Sequence, residues 1–313
     1  MGKSIGIAVA GGIASAICLL SYLTGSGLAL MLAYLALLPL FLVGLSTGVA
    51  AGAVAGAAGA VAVLLAGGAM AALGYLLVLG IPSAWAMRLA LQSRPAPDGS
   101  VEWRGPGPIL LALAGWGLAI YAVGIAVLLS EGQDPVAVLE QQMLETARAM
   151  AGGDPRPEMA AAFAGMATLI PGAVITSWLL MTVLNAAIAQ TLLRRAGRNL
   201  RPSAGLGAFE LPPWTAGAFA LALVAAFLSP TVLGDIGATV AVVLGFAYLL
   251  AGLGVAHALT RGRPLRTLML VLIYAAVLLL VWPAVILAGL GVIDQWAGLR
   301  RRAAGGAGPD QKE

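Results

Sequence analysis

The sequence predicts an all-α protein, a polytopic transmembrane helical bundle of eight or nine spans. Of the 313 residues, 61% are hydrophobic and only 10% are charged, whereas a soluble domain carries about 25% charged residues. No acidic residue occurs before Asp98. The basic residues lie in short clusters beside long apolar stretches, as the positive-inside rule requires of cytoplasmic connections. These three observations together indicate a chain solvated mainly by lipid.

The composition also limits the function. The formal net charge of +4 is explained by membrane orientation, so we expect the lipid bilayer as a partner and no nucleic acid. Cys18 is the single cysteine, which excludes an internal disulfide and a cysteine-based metal site. The sequence contains no Walker A loop, no His-Glu-x-x-His and no Gly-x-Ser-x-Gly. We therefore expect neither an enzyme nor a cofactor or metal protein.

The first part of the chain is divided by small-residue turns into apolar stretches of membrane-spanning length. Their approximate limits are 5–23, 28–46, 47–67, 69–92 and 109–130. Lys3 before the first stretch would suit a signal peptide, but without a cleavage site we expect a retained helix. The proline-rich segment 93–108 is predicted to be a cytoplasmic linker.

Segment 131–158 is hydrophilic and mainly acidic, so we predict that it lies outside the cytoplasm. Asp134 followed by Pro135 is typical of a helix start, with the carboxylate as N-cap and proline at the first helical position. Apolar residues then recur at helical spacing, which predicts an extracytoplasmic amphipathic helix. They are Val136, Leu139, Met143, Ala147 and Met150.

The remaining spans are predicted near 159–193, 214–230, 236–259 and 267–292. Pro171-Gly172 should interrupt the first of them, and Asp235 is placed to cap the third. Arginines 194, 195, 198 and 201 give the strongest cytoplasmic signal. Residues 1–299 form one membrane domain, followed by the polar basic tail 300–313. Counting the spans from a cytoplasmic N-terminus places this tail outside the cytoplasm. This contradicts the charge rule, so either one span is re-entrant or the tail is an exception.

Few polar residues inside the spans are candidates for a binding site. Trp178, Thr182 and Asn185 share one helical face, which either lines a substrate pocket or bonds to a neighbouring helix. His257 is the only histidine and is a further candidate for substrate binding. A structural role is more typical of a single interfacial histidine, and no companion acid supports a proton pathway or a metal site.

Two further groups of residues favour contacts rather than chemistry. Gly6, Ala10 and Ala14 form a small-residue stripe on the first span, typical of close helix packing within the protein or against a partner protein. A similar stripe on the third span contains Gly48, Gly52, Gly56 and Ala60. Near the C-terminus, Asp294, Trp296 and Arg300 suit an interfacial anchor, in which Asp294 can pair with an arginine.

Several short motifs carry a resemblance to a known family. They are Gly254-Val255-Ala256-His257-Ala258-Leu259, Arg263-Pro264-Leu265, Tyr274, Gly291-Val292-Ile293-Asp294-Gln295-Trp296 before Arg300-Arg301, Pro39-Leu40-Phe41 with Gly44-Leu45 and Gly48, and Asn185 after Pro171-Gly172. On these residues the chain resembles the YybS-like family of uncharacterised bacterial membrane proteins. That family is distantly similar to the S components of energy-coupling-factor transporters, whose first helix docks a transmembrane coupling subunit. The resemblance implies that Ala10 and Ala14 belong to such a docking stripe.

The sequence therefore favours a non-catalytic, multi-pass protein of the bacterial inner membrane, with a cytoplasmic N-terminus. We expect it to bind a small molecule or help transport it, in the manner of a substrate-binding component, with a coupling subunit and its ATPases as partners. The alternative is a scaffold or assembly factor for envelope proteins.

Overall fold

The computed structural model describes residues 2–305, and these are predominantly helical, which confirms the all-α fold. Residues 306–313 of the predicted basic tail lie outside the described residues. The helices are α1 Gly2–Leu20, α2 Gly27–Tyr34, α3 Leu37–Thr47, α4 Val49–Tyr75, α5 Ile81–Ala90, α6 Pro106–Ser130, α7 Pro135–Ala151, α8 Pro157–Met166, α9 Ile170–Arg195, α10 Trp214–Leu228, α11 Val232–Leu259, α12 Arg266–Leu279, α13 Val281–Ala297 and α14 Leu299–Gly305.

The described residues contain 6 helical stretches long and apolar enough to cross a membrane. They are Ser4–Thr24, Gly27–Thr47, Val49–Ala90, Pro106–Ser130, Pro157–Arg195 and Val232–Leu259. The pair α12 and α13 makes a seventh if it is counted as one span, and α10 is apolar but shorter. A polytopic membrane bundle is therefore confirmed, whereas the number of eight or nine spans stays a prediction.

Breaks interrupt four of the apolar stretches, and each lies at or beside the residue four positions before a proline. A proline has no N–H to donate to that residue's carbonyl, and its ring clashes with the preceding turn. The breaks are at residues 35–36 before Pro39, 76–80 before Pro82, 167–169 before Pro171, and 280 before Pro283. The interruption expected at Pro171-Gly172 therefore comes earlier, because Pro171 is tolerated in the first turn of α9.

The chain divides into two compact units. Unit 1 contains the chain up to Leu113 together with Trp178–Ala204. Within it, the 42-residue stretch Val49–Ala90 folds back on itself at Gly68, whose φ of 82° is accessible to glycine. The two halves pack side by side, with Gly56 against the backbone of Gly80 and Gly59 against the ring of Tyr75. This hairpin agrees with the two spans predicted on either side of residue 68.

The connections at one end of unit 1 contact each other. The predicted linker contains a two-stranded antiparallel hairpin, β1 Ser93–Pro95 and β2 Val101–Trp103. Arg201 donates from Nη1 to the Ala90 carbonyl at 2.8 Å, and its guanidinium lies 5.9 Å from the centre of the Trp103 ring. The linker and the arginine cluster 194–201 therefore lie at the same end of this unit, as the charge rule predicts.

Unit 2 contains Ala114–Ser177 and the described chain from Gly205 onward. Its central helix is α11, against which α10 and α13 pack through glycines. A side chain at Gly237 would meet the α10 backbone at 2.8 Å, and Gly252 lies directly against the backbone of Leu287 in α13. Thr231 caps α11 with its hydroxyl 3.3 Å from the Leu233 amide, so the cap assigned to Asp235 was wrong.

The amphipathic helix α7 also belongs to unit 2 and begins as predicted. The Val136 amide donates to the Asp134 carboxylate at 2.9 Å, and Pro135 occupies the first turn. The predicted apolar face is buried or half-buried except for Met150, which is 74% exposed. This face packs on the protein and not on solvent.

Candidate functional site

Unit 1 contains a buried polar centre formed by the predicted residues of α9. Thr182 and Asn185 are 3% and 2% exposed. Trp178 donates from Nε1 to the Val78 carbonyl at 2.8 Å, and Asn185 donates from Nδ2 to the Tyr34 carbonyl at 2.8 Å. The Thr182 hydroxyl bonds within its own helix. Trp178 and Asn185 therefore join α9 to two other spans.

The carbonyl that accepts from Asn185 is freed by the break between α2 and α3. In a continuous helix the Leu38 amide would pair with Tyr34, but here it donates to Leu35 at 3.0 Å. Leu35 needs this partner because Pro39, four residues on, has no N–H. The Tyr34 carbonyl is left to the side-chain amide of Asn185.

The second carbonyl is freed in the same way. Pro82 stands four residues after Val78, so the Val78 carbonyl has no regular α-helical donor. The chain here forms a π-helical turn, Leu76–Gly80, of a kind frequently found at functional sites. The indole of Trp178 donates to this carbonyl. Such irregular backbone is tolerated at membrane depth only where protein or a cavity surrounds it.

Two more side chains complete this centre, which we call the broken-helix centre. Tyr75 donates to the Ser15 hydroxyl at 2.8 Å, and Ser15 donates to the Ala36 carbonyl at 2.6 Å. Both residues are at most 1% exposed. Ser15, Tyr75 and Pro82 were not among the predicted residues, and Pro39 was named only for the family resemblance. A proline inside an apolar stretch was the available signal, because it locates a freed carbonyl four residues earlier.

The broken-helix centre leaves one acceptor open. Both N–H bonds of the Asn185 amide are used, by the carbonyls of Tyr34 and Met181, each at 2.8 Å. Its Oδ1 is buried and has no hydrogen-bond partner. A buried unsatisfied acceptor costs about 1–3 kcal/mol. Chemically, this oxygen can accept from an N–H or O–H group of a small molecule.

Unit 2 contains a second polar cluster, around Gln295. The Tyr248 hydroxyl donates to Gln295 Oε1 at 3.1 Å and lies 2.8 Å from the Thr215 hydroxyl. Gln295 Nε2 donates to the Leu211 and Pro212 carbonyls at 3.3 Å. These bonds join α10, α11 and α13 beside a cleft of about 210 Å³ whose charged lining residues are Glu210, Asp294, Arg300 and Arg301.

The predicted C-terminal anchor contains a buried ion pair. Arg300 Nε lies 2.6 Å from Asp294 Oδ2, and the Arg300 amide donates to Oδ1 at 2.9 Å. Arg300 Nη1 also donates to the Phe209 carbonyl at 2.7 Å. The Asp294 and Arg300 side chains are 5% and 13% exposed, whereas Trp296 is 73% exposed. The expected pairing is thus present, and Trp296 is free to contact lipid.

His257 belongs to unit 2, not to the broken-helix centre, and it pairs with a tyrosine there. His257 Nε2 lies 3.0 Å from the Tyr274 hydroxyl, and the two rings meet edge to face. Among the described residues no group of three His, Cys, Asp or Glu side chains is arranged to hold a metal ion.

The small-residue stripe of α1 faces away from the packed side of unit 1. Gly6 and Ala10 are exposed and Ala14 is half-buried. Packing instead uses the neighbouring face, where Ala8 is fully buried and Gly12 lies directly against Ala55 of α4. On the third span, by contrast, Gly52, Gly56 and Ala60 are buried, as expected for internal packing.

Comparisons with known proteins give a family and nothing finer. The sequence model of the family described as "Predicted membrane protein (DUF2232)" matches residues 12–295. The curated proteins and the solved structures contain no significant match to the chain.

Proposed function

The chain belongs to the predicted membrane protein family DUF2232, and from this premise we propose that it binds a small polar molecule inside the membrane and takes part in its transport, without catalysing a reaction. The site is the broken-helix centre of unit 1, with Trp178, Thr182 and Asn185 as its α9 residues. Its role corresponds to that of a substrate-binding transporter component in the bacterial inner membrane.

The open acceptor of Asn185 carries this proposal. It lies near the middle of α9, and the breaks at residues 35–36 and 76–80 are near the middle of their own spans. Discontinuous helices whose freed carbonyls meet at mid-depth are the usual construction of transporter binding sites. A ligand that donates an N–H or O–H to Asn185 Oδ1 would satisfy the acceptor that the protein leaves open.

Thermal-shift screening of the purified protein with vitamins and nucleobases tests the proposal. A ligand present at 100 times its Kd stabilises the folded state by about 2.7 kcal/mol. We expect at least one compound to raise the Tm of the wild type. The same compound should not stabilise Asn185→Leu, which removes the acceptor.

The matched control is Thr191→Val on the same helix, because the Thr191 hydroxyl donates an exposed hydrogen bond to the Ala187 carbonyl of α9 itself. This variant should respond to the ligand as the wild type does. If no compound stabilises the wild type, or if Asn185→Leu responds fully, the proposed site is wrong.

The exposed stripe of α1 supports a partner surface. Small residues let a second helix approach closely in lipid, and Gly6 has open space around its Cα. We propose that Gly6, Ala10 and Ala14 dock a transmembrane coupling subunit that brings ATPases. Ala10→Leu should then abolish recovery of these proteins in a pull-down in mild detergent, whereas Ile7→Leu, a conservative change at an exposed position, should not.

The same surface also favours the second candidate function, a scaffold or assembly factor for envelope proteins. Recovery of envelope-assembly enzymes in place of ATPases would support it. In that case Asn185→Leu should leave the recovered partners unchanged.

The orientation that we propose has a cytoplasmic N-terminus and an extracytoplasmic segment 131–158. The contact of the Leu200 amide with the Leu45 carbonyl supports it, because the second span then ends beside the arginine cluster. His257 and the C-terminal anchor residues would lie toward the cytoplasmic side. Reporters fused after residues 145, 198 and 264 should report outside, inside and inside.

A further inference from the structure

The last two long helices do not continue in one direction. Between α12 and α13 the axis bends by 117° at Leu280, whose backbone is extended. A straight crossing from residue 266 would bring the end of α13 to the N-terminal end of α11. The bend instead turns the chain back, so the contacts of α13 and α14 decide on which side it ends.

Within unit 2, α13 and α14 contact the C-terminal half of α11, the first turn of α10 and the chain that precedes α10. Gln295 bonds with Tyr248, and Arg300 Nη1 bonds with the carbonyls of Gly207 and Phe209. A side chain at Gly254 would lie 3.6 Å from Arg300 Nη1. The tail therefore leaves the bundle near the end of α11 from which α12 begins.

We propose that Arg266–Ala297 is a re-entrant helical pair, which enters and leaves the membrane on the side of the 261–266 loop and inserts its apex into the acyl chains of that leaflet. Arginines 300–302 then lie with arginines 261, 263 and 266, where the positive-inside rule places cytoplasmic charge. The contradiction left by the span count disappears, because the pair no longer adds a crossing.

The apex has the surface that this insertion requires. Five consecutive residues, from Leu278 to Trp282, are 60–83% exposed, and all of them are apolar. An apolar patch of this kind facing water would be unfavourable. Acyl chains are the matching partner, since further apolar side chains of α12 and α13, among them Leu272 and Ile286, are also exposed.

Cysteine accessibility tests the side on which the tail emerges. Cys18→Ala removes the one native cysteine, and single cysteines are then placed at Pro264, Ala303 and Gln133. Gln133 is an exposed residue beside α7, which starts near Val232 at the opposite end of α11. An impermeant maleimide is applied to right-side-out and inside-out membrane vesicles. We expect Ala303→Cys to react in the same vesicles as Pro264→Cys, and in the opposite ones from Gln133→Cys.

Reaction of Ala303→Cys together with Gln133→Cys would overturn the proposal. If Ala303→Cys reacts in neither preparation, a reporter fused after residue 305 decides the side by the same criterion. A spin label at Leu280→Cys tests the apex: power saturation should show greater access to oxygen than to a water-soluble nickel chelate. Greater access to the nickel chelate than to oxygen would show that the apex does not lie in lipid.

Discussion

Replacing Asp294 with alanine tests whether the buried ion pair holds the C-terminal end of unit 2 in place. The carboxylate accepts from both the backbone amide and Nε of Arg300 and is almost completely shielded from solvent. In Asp294→Ala the guanidinium stays buried without its counter-charge. We expect a less stable protein in which Arg300 is held by its carbonyl partners in the 206–209 turn alone.

The size of the expected stability loss depends on the partners that Arg300 keeps. Removing one member of a buried pair costs about 3–5 kcal/mol. Because Arg300 keeps its bonds to the Gly207 and Phe209 carbonyls, we expect the lower end, about 3 kcal/mol. For a unit of this size 1 kcal/mol shifts Tm by roughly 2–4 °C, so the Tm should fall by roughly 6–12 °C. Asp294→Asn keeps one acceptor for the Arg300 amide, so its Tm should fall less than that of Asp294→Ala.

Thermal unfolding of the purified protein in mild detergent measures this loss. The chain offers a matched control in Arg148 and Asp154, an ion pair whose side chains are 59% and 89% exposed. Exposed pairs contribute little, so Asp154→Ala should leave the Tm unchanged. Equal Tm values for Asp294→Ala and the wild type would refute the inference that this pair is desolvated and stabilising.

Three other predictions concern packing, the freed carbonyls and the basic connection. Gly291→Ala should cost about 1–3 kcal/mol by overpacking, because its new Cβ would lie 2.9 Å from the Gly252 amide, whereas Gly289→Ala in the same helix meets nothing within 4 Å and should be neutral in thermal unfolding. Trp178→Phe removes the donor to the Val78 carbonyl and should lower the free energy of unfolding by about 1 kcal/mol in the wild type. The loss should be smaller in a Pro82→Ala background, because the Val78 carbonyl regains a helical partner there. A double-mutant cycle in which the two effects simply add would contradict this. Arg201→Gln should lower the Tm, since Arg201 is buried against Ala90 and Trp103, whereas Arg198→Gln at an exposed position should not.

Much of the fold was predictable because lipid imposes strong rules on sequence. The absence of acidic residues before Asp98, the turn at Gly68 and the Asp134-Pro135 helix start each correspond to a feature of the structure. The hairpin Ser93–Trp103 was not predicted, although Asp98-Gly99 is a turn signal. There Ser100 donates to the Asp98 carboxylate through its hydroxyl and amide, and these bonds hold the pKa of Asp98 below its ordinary value.

The binding-site candidates were harder to interpret, because their partners are distant in sequence. Asn185 and Tyr34 are 151 positions apart, and Trp178 and Val78 are 100. Helical spacing put Trp178, Thr182 and Asn185 on one face, but it gives no information about which carbonyls that face meets. Thr182 shows the limit of such a pattern, since its hydroxyl bonds to its own helix.

The freed carbonyls also fix the orientation of the Asn185 amide, and with it the chemistry of the site. If the amide were flipped, Oδ1 would face two carbonyl oxygens, and both hydrogen bonds would be lost. In this low-dielectric surrounding such an arrangement is costly. The open group is therefore an acceptor, and a ligand whose polar edge carries only acceptors has nothing to bind there. Within a set of related compounds, stabilisation should follow the number of N–H or O–H donors on one edge. A ranking that ignores those donors would count against Asn185 as the contact.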